Sequence, residues 1–245
     1  MSARLVLATT GRVLAQLRRD PRTVALLLVV PLLLLVLLRY VYAEQPPVFD
    51  RVGAPLLALF PFLTMFLVTS VAMLRERSSG TLERLLTTPL GRADLLLGYA
   101  LAFGLVAVVQ TGLACALTLG PLGLDVAGPP LLVVLLAVLD ALLGTALGLL
   151  LSAFARTEFQ AVQFLPAFVL PQLLLCGLLT ARDAMAAPLR WLSHAFPLTY
   201  AVDGMQQLTA SATLSTDLVR DLVVVACCSL AALALGAATL RRRTA

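Results

Sequence analysis

The sequence has no lysine. All 18 of its basic residues are arginine, and charged residues of both signs make up only 13% of the chain. A soluble domain carries about 25%, so this chain is not built to present a charged surface to water. The missing lysine also excludes a chemistry. A phosphate-binding P-loop sets a lysine against the nucleotide phosphates, so the chain has no standard nucleotide-hydrolysing site of its own. There is one histidine, His194, and the four cysteines (Cys115, Cys176, Cys227 and Cys228) all fall inside apolar runs. They supply neither a metal-ligand spacing nor a disulfide framework, and they read as small packing residues. The apolar runs hold no paired carboxylates, no histidine cluster and no serine with a base, so acid–base or nucleophilic catalysis is not expected. The chain reads as a protein that is not an enzyme and carries no cofactor or metal.

What is abundant is hydrocarbon: 60% of the residues are hydrophobic, and mean hydropathy is +0.99. Six runs reach the ~20 residues that a bilayer core requires, at about 23–42, 54–74, 95–119, 131–151, 161–180 and 218–240. The expected fold class is an all-α polytopic membrane protein, with residues 1–245 as a single transmembrane domain. Residues 1–22 do not read as a signal peptide, because arginines recur at Arg4, Arg12, Arg18, Arg19 and Arg22. Leu5, Leu7, Val13, Leu14 and Leu17 give that stretch an apolar stripe, which suits an interfacial helix; a frayed basic tail is the plainer reading. The link from Ala43 to Gly53 contains Pro46-Pro47 and reads as a short loop. Pro31, Pro61, Pro166 and Pro171 are expected to interrupt their spans.

Six spans put both termini on one side of the membrane, and charge decides which. That side collects the five arginines before span one, Arg75, Arg77, Arg84 and Arg92 between spans two and three, Arg156, and Arg241 to Arg243. The opposite side keeps only Arg39, Arg51, Arg182, Arg190 and Arg220. The bias places both termini in the cytoplasm. Because the arginines cluster beside apolar spans, orientation in the membrane accounts for the net charge of +5, and no nucleic-acid partner is expected.

Within the spans, polar groups are few: Gln110, Thr111, Asp140, Gln163 and Gln172. Ala137, Ala141, Gly144 and Gly148 form a stripe of small residues that permits close helix packing. Asp140 lies one turn before Gly144 and is expected to sit in protein or a wet cavity rather than face lipid, since a mid-span carboxylate costs at least ~2.5–3.5 kcal/mol there. Gln110, Asp140, Gly144, Gly148, Gln163 and Gln172 are the candidate pathway or packing residues.

Two polar segments carry more pattern than a connector needs. The first runs from Arg75 to Asp94. Ser78, Ser79 and Gly80 can start a helix, Glu83 suits its first turn, and Leu82, Leu85 and Leu86 share one face. Pro89 and Gly91 stop it. Such a helix either docks in a groove on another protein or lies on lipid headgroups. The second segment runs from Ala181 to Thr216. Leu189, Leu192 and Phe196 repeat at helical spacing, Pro197 breaks the run, and Leu198, Val202, Met205 and Leu208 repeat again. Two short helices joined at Pro197 are expected at the outer leaflet, with Trp191 and Tyr200 at interfacial depth. Leu189, Leu192, Phe196, Pro197, Leu198, Thr199, Tyr200 and Val202 are the candidate external gate. The single His194 reads as an interfacial residue.

The stretch R-E-R-x-x-G-T-L-E-R-L-L-x-T-P-L, carried by Arg75, Glu76, Gly80, Thr81, Leu82, Glu83, Leu85, Leu86, Thr88, Pro89 and Leu90, resembles the loop between the second and third spans of ABC-2 type transporter permeases. The run from Phe196 to Gln206 resembles that family's proline motif before the last span, often N-P-L-T-Y-x-x-D-A-L-R, with Phe196 in place of the usual asparagine and Gln206 in place of the usual arginine. Order, motifs and span number together resemble the drug-resistance permeases of the daunorubicin-exporter type. The resemblance implies the membrane subunit of an ATP-driven exporter in a bacterial plasma membrane. It implies two separate ATPase subunits, which hold the ATP and magnesium, and a second permease as homodimer or heterodimer. It assigns contact with the ATPase to Arg75, Glu76, Arg77, Gly80, Thr81, Leu82, Glu83, Arg84, Leu85 and Leu86. A path with so few charges suits amphipathic drugs, antibiotics or lipid-like molecules, exported by alternating access. A polysaccharide exporter of the same family is an alternative. A secondary transporter or channel working without ATP is another, though Asp140 is the one clear mid-span charge and no internal repeat stands out.

Overall fold

The computed structural model describes residues 2–79 and 91–239. Among them the chain forms nine α-helices and one 3-10 turn, with no strand. Helix α1 covers Ala3–Arg19 and is amphipathic: Val6, Thr9, Thr10 and Val13 face the protein, while Arg18 and Arg19 occupy its last turn. It packs on α4, which covers Arg92–Leu119. Gly98 permits the approach, because a Cβ there would lie 2.5 Å from Thr9 Cβ and 3.1 Å from the Val6 carbonyl oxygen. Asp20 separates α1 from α2 (Pro21–Val41), and its carboxylate accepts from the Thr23 backbone N–H at 3.1 Å, an N-cap that satisfies one orphan donor of the new helix.

The longest helix is α3, which runs for 33 residues over Pro46–Ser78. The loop expected up to Gly53 is therefore mostly helix. Pro46 and Pro47 fall in the first turn of α3, where a missing N–H costs nothing and the fixed φ favours helix. The expected interruptions at proline do not occur either. Pro31 sits inside α2, Pro55 and Pro61 inside α3, and Pro166 and Pro171 inside α6 (Glu158–Leu175), all within continuous helices. Just after Pro61, Thr64 Oγ1 shares its hydroxyl proton between the carbonyls of Phe60 and Pro61, at 3.0 Å each, turning a polar side chain back onto the helix backbone. Helix α6 ends at Leu175, five residues before the expected end of span five, where the chain turns through Gly177 at φ +91°.

The remaining elements are α5 (Pro130–Leu151), the 3-10 turn Arg182–Ala184, α7 (Ala187–Ser193), α8 (Pro197–Ala210) and α9 (Thr216–Thr239). Six helices, α2, α3, α4, α5, α6 and α9, are long and apolar enough to cross a membrane. The protein is an all-α polytopic membrane protein. Helices α3 and α5 form its centre and pack most extensively on each other, while α2, α6 and α9 are peripheral and keep large apolar side chains such as Leu33, Leu37, Leu174 and Leu230 exposed. The bundle has two distinct ends. At one, α1 lies across the C-terminus of α3 and the N-terminus of α4. At the other, α8 packs against α9, α3 and α5.

Candidate functional site

Three consecutive residues at the end of α3 reach three different elements. Successive helical residues project roughly 100° apart, so Arg75, Glu76 and Arg77 fan out over more than half the helix circumference. Arg75 forms a two-point pair with Glu158 at the start of α6, at 2.7 and 3.1 Å. Glu76, 9% exposed, accepts from Arg12 of α1 at 2.6 Å. Arg77 donates to the carbonyl oxygen of Ser152, just after α5. Arg12 completes the knot by donating to Tyr99 Oη of α4 at 2.9 Å, with its guanidinium 5.6 Å from that ring's centroid. On the far side of the connecting stretch, the Asp94 carboxylate accepts from Gly91 N at 3.3 Å and Ser2 N at 3.1 Å. The two flanks of the stretch are thus fixed to one frame of α1, α4, α5 and α6. Gly80, Thr81, Leu82, Glu83, Arg84, Leu85 and Leu86 lie outside the described residues.

At the opposite end the expected pair of helices joined at Pro197 is present. Thr199 Oγ1 donates to the Ser193 carbonyl at 2.8 Å, and Tyr200 Oη donates to the His194 carbonyl at 2.9 Å, which ties α8 to α7 across the break. The candidate gate residues divide into two groups. Leu198, Val202 and Met205 are buried against the bundle. Leu189 and Leu192 are about half exposed on α7 and belong to none of these packed clusters, and Phe196 is intermediate. Arg182 forms an ion pair with Asp203, and Gln206 Nε2 donates to the Gly177 carbonyl at 3.2 Å. These contacts bind α8 to the chain that leaves α6. Burial pushes the Asp203 carboxyl up to about 6, against the pull of Arg182. Nearby, Asp221 accepts from Gln207 at 2.8 Å and pairs with Arg220 at 3.0 Å.

In the interior, the small-residue stripe of α5 meets α3 as its spacing requires. A Cβ on Gly144 would collide with the Phe62 carbonyl, and one on Gly148 with the Phe66 carbonyl. Asp140 has no exposed surface, and among the described residues neither of its oxygens has a hydrogen-bond partner. Gln110 donates to Thr64 Oγ1 at 2.5 Å and Gln172 to the Phe168 carbonyl at 3.1 Å, each leaving its amide oxygen unpaired. Gln163 is exposed on α6, apart from this group. Sequence reasoning missed Arg12, Tyr99, Glu158, Arg182 and Asp221. Only their polarity inside or beside apolar runs marked them. Among the described residues no cluster of His, Cys, Asp and Glu could hold a metal ion.

Six apolar helices with an amphipathic entry helix, braced flanks to the polar connector at one end and a helix–break–helix at the other define a polytopic membrane domain with two differentiated ends. The family model for the ABC-2 type transporter matches residues 4–209, and the chain belongs to that family. It is 29% identical over 158 residues to "Probable multidrug ABC transporter permease YbhS" of Escherichia coli, covering 64% of this chain and 42% of YbhS. It is 28% identical over 160 residues to "Linearmycin resistance permease protein LnrN" of Bacillus subtilis, covering 65% of this chain and 41% of LnrN. The matched region thus spans about two fifths of the length of these curated relatives.

Proposed function

We propose that the chain is the membrane subunit of an ATP-driven exporter in a bacterial plasma membrane, with both termini in the cytoplasm. It works with two ATPase subunits, which hold ATP and magnesium, and with a second permease, identical or similar, that supplies the other half of the path. The observation that carries this reading is the fixing of Arg75, Glu76 and Arg77 to α6, α1 and α5. A connector that merely links two spans needs no such brace. A connector that transmits force does, because a push on residues 80–90 then reaches five helices rather than the two it links. Leu82, Leu85 and Leu86 dock in the ATPase, and Glu83 supplies charge complementarity there. Closure of the ATPase pair drives the α1 end, and alternating access opens the α8 end. There Leu189, Leu192, Phe196, Pro197, Leu198, Thr199, Tyr200 and Val202 form the external gate. Nothing in the mechanism calls for covalent chemistry by this chain. The cargo is an amphipathic drug, antibiotic or lipid-like molecule. This reading is supported by the drug- and antibiotic-resistance names of YbhS and LnrN and by spans with so few charges.

The test is co-purification of the ATPase with wild type, Leu85→Asp and Glu83→Ala, alongside substrate-stimulated ATP hydrolysis. Each docked leucine contributes roughly 1.5–3 kcal/mol at most, so Leu85→Asp is expected to lose the ATPase. Removing a rim charge acts mainly on encounter and partner choice, so Glu83→Ala retains the complex and couples poorly. Normal binding and export by Leu85→Asp would remove this stretch from the coupling path.

A further inference from the structure

Beside the brace, a hollow of about 390 Å³ opens between α1, α3 and α4. That is the size of a small-molecule site. Its walls are apolar, with Leu17, Val68, Val71 and Phe103 among them, and three charged residues line it: Asp20, Arg75 and Glu76. Two of these charges are already matched. Arg75 is held by Glu158 at 2.7 Å, and Glu76 by Arg12 at 2.6 Å. Asp20 is different. Its carboxylate accepts from Thr23 N at 3.1 Å and Thr23 Oγ1 at 2.6 Å, and it makes no ion pair among the described residues. The neighbouring Arg18, Arg19 and Arg22 do not line the hollow. The Thr23 donors, with the nearby Arg75 charge adding to them, hold the Asp20 carboxyl below its usual range, so it is charged at neutral pH. Arg75 lies near Asp20 but is shared with Glu158, so three carboxylates (Asp20, Glu76 and Glu158) face two guanidiniums (Arg12 and Arg75), and the hollow carries one negative charge in excess beside an apolar wall. An adjoining hollow of about 250 Å³ shares Leu17 but is lined wholly by apolar side chains, so charge recognition belongs to the first.

We propose that this hollow is a binding site for an amphipathic organic cation, its ammonium at Asp20 and its apolar body against Leu17, Val68, Val71 and Phe103. The proposal deepens the exporter reading by naming the charge class of the cargo and the place where it is first held. Binding itself needs no ATPase. The site lies at the level of the interfacial helix, where an amphipathic cation partitioned into the same leaflet arrives with its charge already at the headgroups.

The experiment measures fluorescence anisotropy of rhodamine 6G, an amphipathic cation, with the purified full chain in phosphatidylcholine nanodiscs. Nile red serves as the uncharged comparison. Asn caps a helix about as well as Asp, so Asp20→Asn removes the charge and keeps the start of α2. Saturable rhodamine binding is expected, weakened about tenfold by Asp20→Asn, the scale of 1.4 kcal/mol, while Nile red binding stays the same. Val71→Trp fills the hollow and should abolish both. Rhodamine binding that is equal in wild type and Asp20→Asn overturns the proposal, whether or not Val71→Trp folds. Displacement of rhodamine by phosphatidylglycerol, with tighter lipid binding in Asp20→Asn, would make the hollow an anionic lipid slot instead and also overturns it. Failure of the ATPase to co-purify would sink the exporter reading and leave these binding curves untouched.

Discussion

Gly148 of α5 lies directly against Phe66 of α3: a Cβ at position 148 would stand 2.5 Å from the Phe66 carbonyl oxygen. Gly144 meets Phe62 in the same way one turn earlier. Thr69 Oγ1, beside Gly148, donates to the Met65 carbonyl at 2.6 Å and lies 3.4 Å from the Thr145 carbonyl. In a membrane, where lipid tails are as apolar as leucine, close backbone packing of this kind is what holds two helices together.

The two central helices should therefore separate when the stripe is filled. Gly148→Val is expected to lower stability by about 1–3 kcal/mol or more through overpacking, because besides Thr69 Oγ1 it meets the Phe66 backbone carbonyl, which cannot rotate away. Gly112→Ala is the matched control: nothing lies within 4 Å of a Cβ there, and alanine is favoured over glycine in a helix by about 1 kcal/mol. SDS titration in mixed micelles reads both, and equal stability of the two variants would refute the assignment of α3–α5 as the central seam.

The knot at the α1 end gives a second expectation. Glu76 sits between α1 and α4 with little exposure, while Arg12 keeps some contact with water. Glu76→Ala leaves Arg12 without its carboxylate and should cost about 1–3 kcal/mol. Tyr99→Phe removes one neutral acceptor and should cost about 0.5–1.5 kcal/mol. Because Arg12 bonds both residues, the double variant should cost less than the sum. Strict additivity in the same titration would mean the three do not act as a unit.

Spans and stripe were legible because each is a local property. A bilayer asks for ~20 apolar residues, and the spacing from Ala137 to Gly148 puts small residues on one face whatever they meet. The helix–break–helix at Pro197 was legible for the same reason. The first turn of α3 was misread because Pro46-Pro47 signals a turn and a helix start equally well. The brace was not legible at all. Glu76 and Tyr99 lie 64 and 87 positions from the arginine they share, Arg12, and nothing local shows that α1 folds back over α3 and α4. Among the candidate gate residues, Leu198 and Val202 follow the apolar face into the bundle, whereas Leu189 and Leu192 share that spacing and stay about half exposed.

At the α8 end, stability should depend on pH through Asp203. Its carboxyl titrates near 3.8 when free and is pushed up to about 6 in the fold by burial, with Asp221 adding to the rise and Arg182 and Arg220 opposing it. Between these values the folded state binds more protons than the unfolded one, so stability falls as pH rises through the window and is flat above it. Asp203→Asn should remove that slope. Melting curves from pH 4 to 7 decide the matter, and a slope unchanged in Asp203→Asn would assign it to another group.

Asp140 presents the sharpest contrast between cost and contact. It is wholly enclosed, one turn from Gly144, and neither oxygen is bonded among the described residues. A carboxylate fixing the fold would show partners, because a buried polar group left unpaired costs free energy. Its removal should therefore leave the α3–α5 seam intact. Asp140→Asn is expected to fold with unchanged or slightly raised stability and to keep most ATP-dependent export in proteoliposomes containing the ATPase. That outcome places Asp140 as an element of packing beside the path. Normal assembly with complete loss of transport would instead show that the ionisable carboxyl itself takes part in each export cycle.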